Sequence, residues 1–229
     1  MKKLFFIALI IIISAKNFAQ QRTETPGNDT NIFNDPRSGV ISSFNKNLKG
    51  TVGTPYIEDF SLARIPGYNQ NYLIRYDAYK DQMQAKNPEN QIIILNKDNI
   101  SEVIFSNQSK YKIFNYTLDK LKKKGYLKVL YEGEKITLLK KETVKFYPAR
   151  EATSSYQQDK KASYKRASDI YFVLNNVTGE INSFYKKKDF IKLFPEKKKD
   201  IESLIKSNKI KFNKEKSLTE LITNLNTLI

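Results

Sequence analysis

Between Val52 and Phe184 the apolar residues come in short runs, each followed within a few positions by turn-forming residues. This spacing constrains the fold more than any other feature. A parallel crossover takes about a dozen residues or more, usually a helix, so connections this short have to be hairpins. The expected fold is mainly β: an antiparallel meander or curved sheet with a short C-terminal helical segment, α+β overall.

The runs have strand character. Tyr72, Ile74 and Tyr76 alternate with Leu73, Arg75 and Asp77, the period of a half-buried strand. Residues 91–95 are a compact β-rich run, and 103–105 and 111–114 are split by Ser106-Asn107-Gln108-Ser109, a hairpin turn. Residues 125–131 and 135–139 flank Glu132-Gly133-Glu134, and 144–147 end at Pro148. Residues 170–174 and 180–184 flank Asn175-Asn176-Val177-Thr178-Gly179. Residues 149–167 show no apolar period and read as a long loop within a β domain spanning 51–185. Such a loop is either a contact surface, here built on Tyr156, Tyr164, Lys165 and Arg166, or a floppy insertion.

From residue 186 to 229 the period changes to that of helices packed on the β domain. Phe190, Ile191, Leu193 and Phe194 suit a short helix, and Pro195 can open the next, where Ile201, Leu204 and Ile205 share a face. Ser217-Leu218-Thr219-Glu220 has the spacing of a capping box. Leu218, Leu221, Ile222, Leu225 and Leu228 then form a stripe, read as core rather than as a partner-binding face.

The N-terminus places Lys2 and Lys3 before an apolar run over residues 4–13, with Ala19 and Gln20 after it. That order is a signal peptide over residues 1–19, cut between Ala19 and Gln20. The run is shorter than the ~20 residues a spanning helix needs, so the mature chain is not expected to span a membrane. No cysteine is present, so no acylated lipoprotein can form, and a periplasmic or secreted location follows. Residues 20–50 are polar and aperiodic and read as a disordered leader.

His, Cys and Trp are all absent. That removes Ser-His-Asp and Cys-His catalysis, thiol chemistry and nearly every zinc or copper site. No phosphate-binding glycine motif or calcium loop occurs, so no catalytic residue, cofactor or metal is expected. A carboxylate pair or a serine–lysine dyad survives this filter without leaving a signature.

The net charge is +16. Residues 110–146 and 186–216 each contribute +7, whereas 61–109 balance to zero. Lys122, Lys123, Lys124, Lys197, Lys198 and Lys199 are the candidate contacts to an anionic envelope component. The competing account is compositional drift, because 34 Lys, 21 Asn and 25 Ile are what an AT-rich genome over-produces. Arg, the better phosphate fork, occurs only six times, and no nucleic-acid partner is expected of an exported chain.

Residues 73–83, the strand pair over 125–147 and the tail from Lys187 to Lys206 resemble an uncharacterised group of exported proteins of flavobacteria and related bacteria. The resemblance covers about residues 51–229 and implies no activity. The expectation is a non-enzymatic binding or envelope-structural protein. A periplasmic carrier of an apolar ligand or lipid, enclosed by a curved sheet, and a polyanion-binding surface protein are the alternatives.

Overall fold

The computed structural model describes residues 31–42, 50–152, 156 and 158–228. The signal segment, the cleavage pair Ala19 and Gln20, and residues 20–30 and 43–49 of the leader lie outside these. The described chain is mostly β, with thirteen strands and three α-helices. Eleven strands form one open antiparallel sheet: β1 (Gly39–Ser42), β5 (Ile92–Leu95), β4 (Gln82–Lys86), β3 (Asn71–Asp77), β2 (Ser61–Arg64), β6 (Glu102–Phe105), β7 (Lys110–Leu118), β8 (Leu121–Glu132), β9 (Ile136–Lys141), β12 (Ile170–Asn175) and β13 (Ile181–Phe184). A separate ribbon pairs β10 (Val144–Tyr147) with β11 (Ser163–Arg166). The tail forms α1 (Lys187–Lys192), a 3-10 turn at Pro195–Lys197, α2 (Lys198–Ser207) and α3 (Glu215–Leu228).

Strand alternation sorts the side chains into three cores. On β3 Tyr72, Ile74 and Tyr76 are buried, as their period requires, and they join Met83, Val103, Tyr111 and Tyr126. In the second half the sheet curls until Cα atoms of β13 come within 8 Å of β7. Inside the curl, Leu118, Leu127, Leu139 and Phe172 pack together. On the opposite face Ile136, Leu138, Tyr171, Val173 and Phe184 meet the helices through Phe190, Ile201, Leu218, Leu221, Ile222 and Leu225. β9 is buried on both faces. Asn226 locks the helix in place: its Oδ1 accepts the N–H groups of Lys135 and Ile136, both at 3.0 Å. The turn comes so close there that a Cβ on Gly133 would lie 2.4 Å from the Asn226 side chain.

Four expectations are corrected. Residues 31–42 are not part of a disordered leader: Ile32 enters the core, and β1 pairs along β5. Their polar side chains replace water at the backbone. Asn31 and Asp35 carboxamide and carboxylate oxygens accept the N–H groups of Phe33 and Arg37, and the Ser38 hydroxyl donates to the Ile32 carbonyl. The 149–167 segment contains β11, held by Val52, which exchanges backbone hydrogen bonds with Ala162 and Tyr164. Strand β8 begins at Leu121 rather than Gly125, carrying Lys122–Lys124 into the sheet. The capping box does not form, because α3 starts two residues before Ser217, with Glu215 ion-paired to Lys140.

Candidate anion-binding groove

Besides the ion pairs on the sheet surface, such as Lys110 and Lys112 with Glu102 and Glu132, two gatherings of charged residues stand out. The first is interior. Lys140 and Lys141 end β9 pointing to opposite faces, and each meets acids. Lys141 Nζ lies 2.5 Å from Asp81 Oδ1, 2.9 Å from the Tyr76 hydroxyl and 3.1 Å from the Tyr126 carbonyl. Asp81 also accepts from Lys97 at 2.8 Å and from the Tyr76 hydroxyl at 2.6 Å. Gly125 makes room for it, since a Cβ there would sit 2.2 Å from Asp81 Oδ2. Lys140 meets Glu142 at 3.0 Å and Asp169 at 3.6 Å, and also Glu215; Arg166 meets Glu142 at 2.9 Å.

Burial alone would raise the Asp81 carboxyl, but Lys141, Lys97 and the Tyr76 hydroxyl outweigh it and hold its pKa below the ordinary value. The Lys141 ammonium is pushed down by burial, and repulsion from Lys97 and Lys123 adds to this against the pull of Asp81. Several lysines share one carboxylate, so the acid is over-compensated and the base under-compensated. Glu142 would likewise be raised by burial, yet Tyr111, Lys140 and Arg166 bring it below its usual value. These groups neutralise one another and bind four parts of the chain together. Nearby, Glu58 and Asp59 border a cleft with Arg75 and Tyr111, but at about 20 Å³ it has room for about one water.

The second gathering is on the surface. Lys186, Lys187, Lys188, Lys192 and Lys198 line, with Ile191, Pro195 and one acid, Glu202, a groove of about 800 Å³ between α1 and α2. Phe190, buried behind, and the Pro195 turn set the two helices apart. All five lysines are exposed, and among the described residues no carboxylate lies within ion-pair distance of them. In the β body Lys97, Lys110, Lys112, Lys124, Lys140 and Lys141 each face an acid, whereas Lys86, Lys128 and Lys135, though partly buried, have no carboxylate within ion-pair distance among the described residues.

The sequence-derived lysines are divided by the fold. Lys122, Lys123 and Lys124 lie on β8 opposite Thr117, Tyr116 and Asn115 and border with them an open groove of about 500 Å³, but alternation sends neighbouring side chains to different faces, and Lys124 is paired with Asp98. Of the other three, Lys198 lines the groove, while Lys197 belongs to the 3-10 turn and Lys199 to the first turn of α2. The sequence reading missed Lys186, Lys187, Lys188 and Lys192. The signal was there: lysines bracketing Ile191 and Pro195 across two short helices.

The structural class is an open, curled antiparallel sheet capped on one face by C-terminal helices, with a lysine-rimmed apolar groove at its surface. No helix among the described residues is long and apolar enough to cross a membrane. Comparison with protein-family models, curated proteins and solved structures gave no match.

Proposed function

We propose that this is an exported, non-enzymatic binding protein whose ligand is an anionic amphiphile held in the α1–α2 groove. The observation that carries this reading is the set of five exposed lysines around an apolar floor, none with a carboxylate within ion-pair distance among the described residues. A headgroup phosphate or carboxylate would supply the missing charge, and an acyl chain would cover Ile191 and Pro195. The groove falls within the ~300–1,000 Å³ of ordinary ligand sites. Enclosure inside the sheet is less favoured, because Leu127, Leu139 and Phe172 fill the curl. A binding rather than catalytic role is supported by the mutual neutralisation of the interior acids and bases.

Dodecyl phosphate, kept below its micelle concentration, is the direct probe. Binding is expected to fall about tenfold or more when Lys187, Lys188, Lys192 and Lys198 become Gln, at up to about 1 kcal/mol for each exposed charge contact. It should change little when Lys122, Lys123 and Lys124 do. Equal losses from both sets would mean that a diffuse surface field attracts the anion, and the groove would lose its standing as a site.

Export rests on the order of charge, apolar run and small residue in residues 1–20. Mass spectrometry of the envelope fraction is expected to find a chain starting at Gln20. Recovery of intact residues 1–19 on the mature protein would refute cleavage.

A further inference from the structure

The β7–β8 hairpin tip lies toward the end of the sheet at which β13 stops and α1 begins. Its turn residues, Asp119 and Lys120, both take positive φ, 51° and 65°. That two-residue turn matches the strand twist but favours Asn and Gly, so a lysine there is held at a conformational cost. The turn carries Leu121 outward, 62 % exposed, while its cross-strand partner Leu118 is buried. Close by, β13 runs near β7. Tyr185, just past the end of β13, feels the carboxylates of both Asp119 in the tip and Asp189 in α1. Hairpin tip, strand end and α1 therefore form one corner of the molecule.

Tyr185 is 58 % exposed there. The corner thus presents a leucine and a tyrosine to water, among exposed Lys120, Lys122, Lys186, Lys187 and Lys188. Two isolated apolar side chains are too little for a stable protein interface, which buries roughly 800 Å² on each side. They suit a bilayer surface. Leucine enters the acyl boundary, tyrosine sits at headgroup level with its hydroxyl wet, and lysines meet anionic headgroups.

We propose that this corner docks the protein on an anionic lipid bilayer, with one lipid headgroup seated in the α1–α2 groove. The inference rests on the groove reading and adds the partner to it. The lysines bring the protein to the surface, and Leu121 and Tyr185 hold it there.

The test uses flotation of the chain from Gln20 onward, the mature form proposed above, with vesicles of phosphatidylcholine alone, or mixed with phosphatidylglycerol. Attachment is expected to the anionic vesicles only, and to weaken as salt rises from about 0.1 M to about 1 M, where screening shortens from about 10 Å to about 3 Å. Leu121→Ser with Tyr185→Ser is expected to cut attachment about tenfold or more, leaving dodecyl phosphate binding and the melting temperature unchanged. Equal attachment to both vesicle types, or an unaffected double variant, overturns the docking corner. So does attachment to neither vesicle with dodecyl phosphate still bound, in which case the groove stands alone. Failure of the wild type to bind dodecyl phosphate removes the groove, and the docking inference with it.

Discussion

Asp81→Asn is expected to destabilise the fold by about 3–5 kcal/mol, the usual cost of leaving a buried charge without its partner. The Tyr126 N–H donates to Asp81 Oδ1 at 3.3 Å, and the substitution keeps size and that acceptor, so the loss is electrostatic. Lys141, 10 % exposed at its side chain, then faces Lys97 and Lys123 with no carboxylate between them. Lys141→Met should cost less, because Asp81 retains Lys97. Combining the two should recover much of the loss, since an apolar side chain replaces an uncompensated ammonium. Urea unfolding of the three variants measures the coupling. A loss below about 1 kcal/mol for Asp81→Asn would show that water reaches Lys141 and the cluster is not an interior one.

The same variant carries a pH signature. The Asp81 pKa is depressed in the folded protein. Its contribution is therefore complete above the unfolded value near 3.9 and is lost as pH falls through the folded value. Wild type and Asp81→Asn should converge in stability as the solution is acidified through that window. Glu142, depressed in the same direction, leaves both proteins with some acid sensitivity.

Leu221→Ala with Leu225→Ala is the second large effect. Both side chains have no exposed surface, and they pack on Ile136 and Leu138 of β9. Emptying each site is expected to cost ~2–5 kcal/mol, from lost transfer energy and the cavity left behind. The pair shares one helix face, so the sum will not be strictly additive. A melting curve matching that of wild type would mean that α3 is detached in solution and its stripe awaits a partner.

How much of this was legible in the sequence depended on whether the responsible residues are neighbours in the chain. The β3 alternation, the β12–β13 hairpin about its Asn175–Gly179 turn and the α3 stripe all use local periods, and each stands where the pattern put it, except that the stripe ends at Leu225 and Leu228, expected in the core, is exposed where the helix runs out. Asp81 with Lys141 could not be read, because 60 positions separate them and only the curl brings them together. A hint lay in β9, whose apolar run ends in two lysines that have to be satisfied somewhere. Residues 31–42 misled because a segment that caps its own backbone with Asn, Asp and Ser has the composition of a disordered one. Ser217 misled for a related reason: a local cap lost to a long-range ion pair, Glu215 with Lys140. The groove lysines were hidden inside a charge block whose members the fold sorts by direction.

The helix lock also sets a sequence of events. Ile136, Leu138, Tyr171 and Val173 are covered by Leu218, Leu221, Ile222 and Leu225, and a ribosome makes the cover later than the surface it closes. The first core can close once Tyr111, Tyr126 and Val144 have emerged, but β9 and β12 wait with one apolar face open. Only when Asn226 reaches the β8–β9 turn does that half of the molecule become finished. During its making, this protein is a sheet in search of its lid, and whatever escorts the growing chain meets it in that condition.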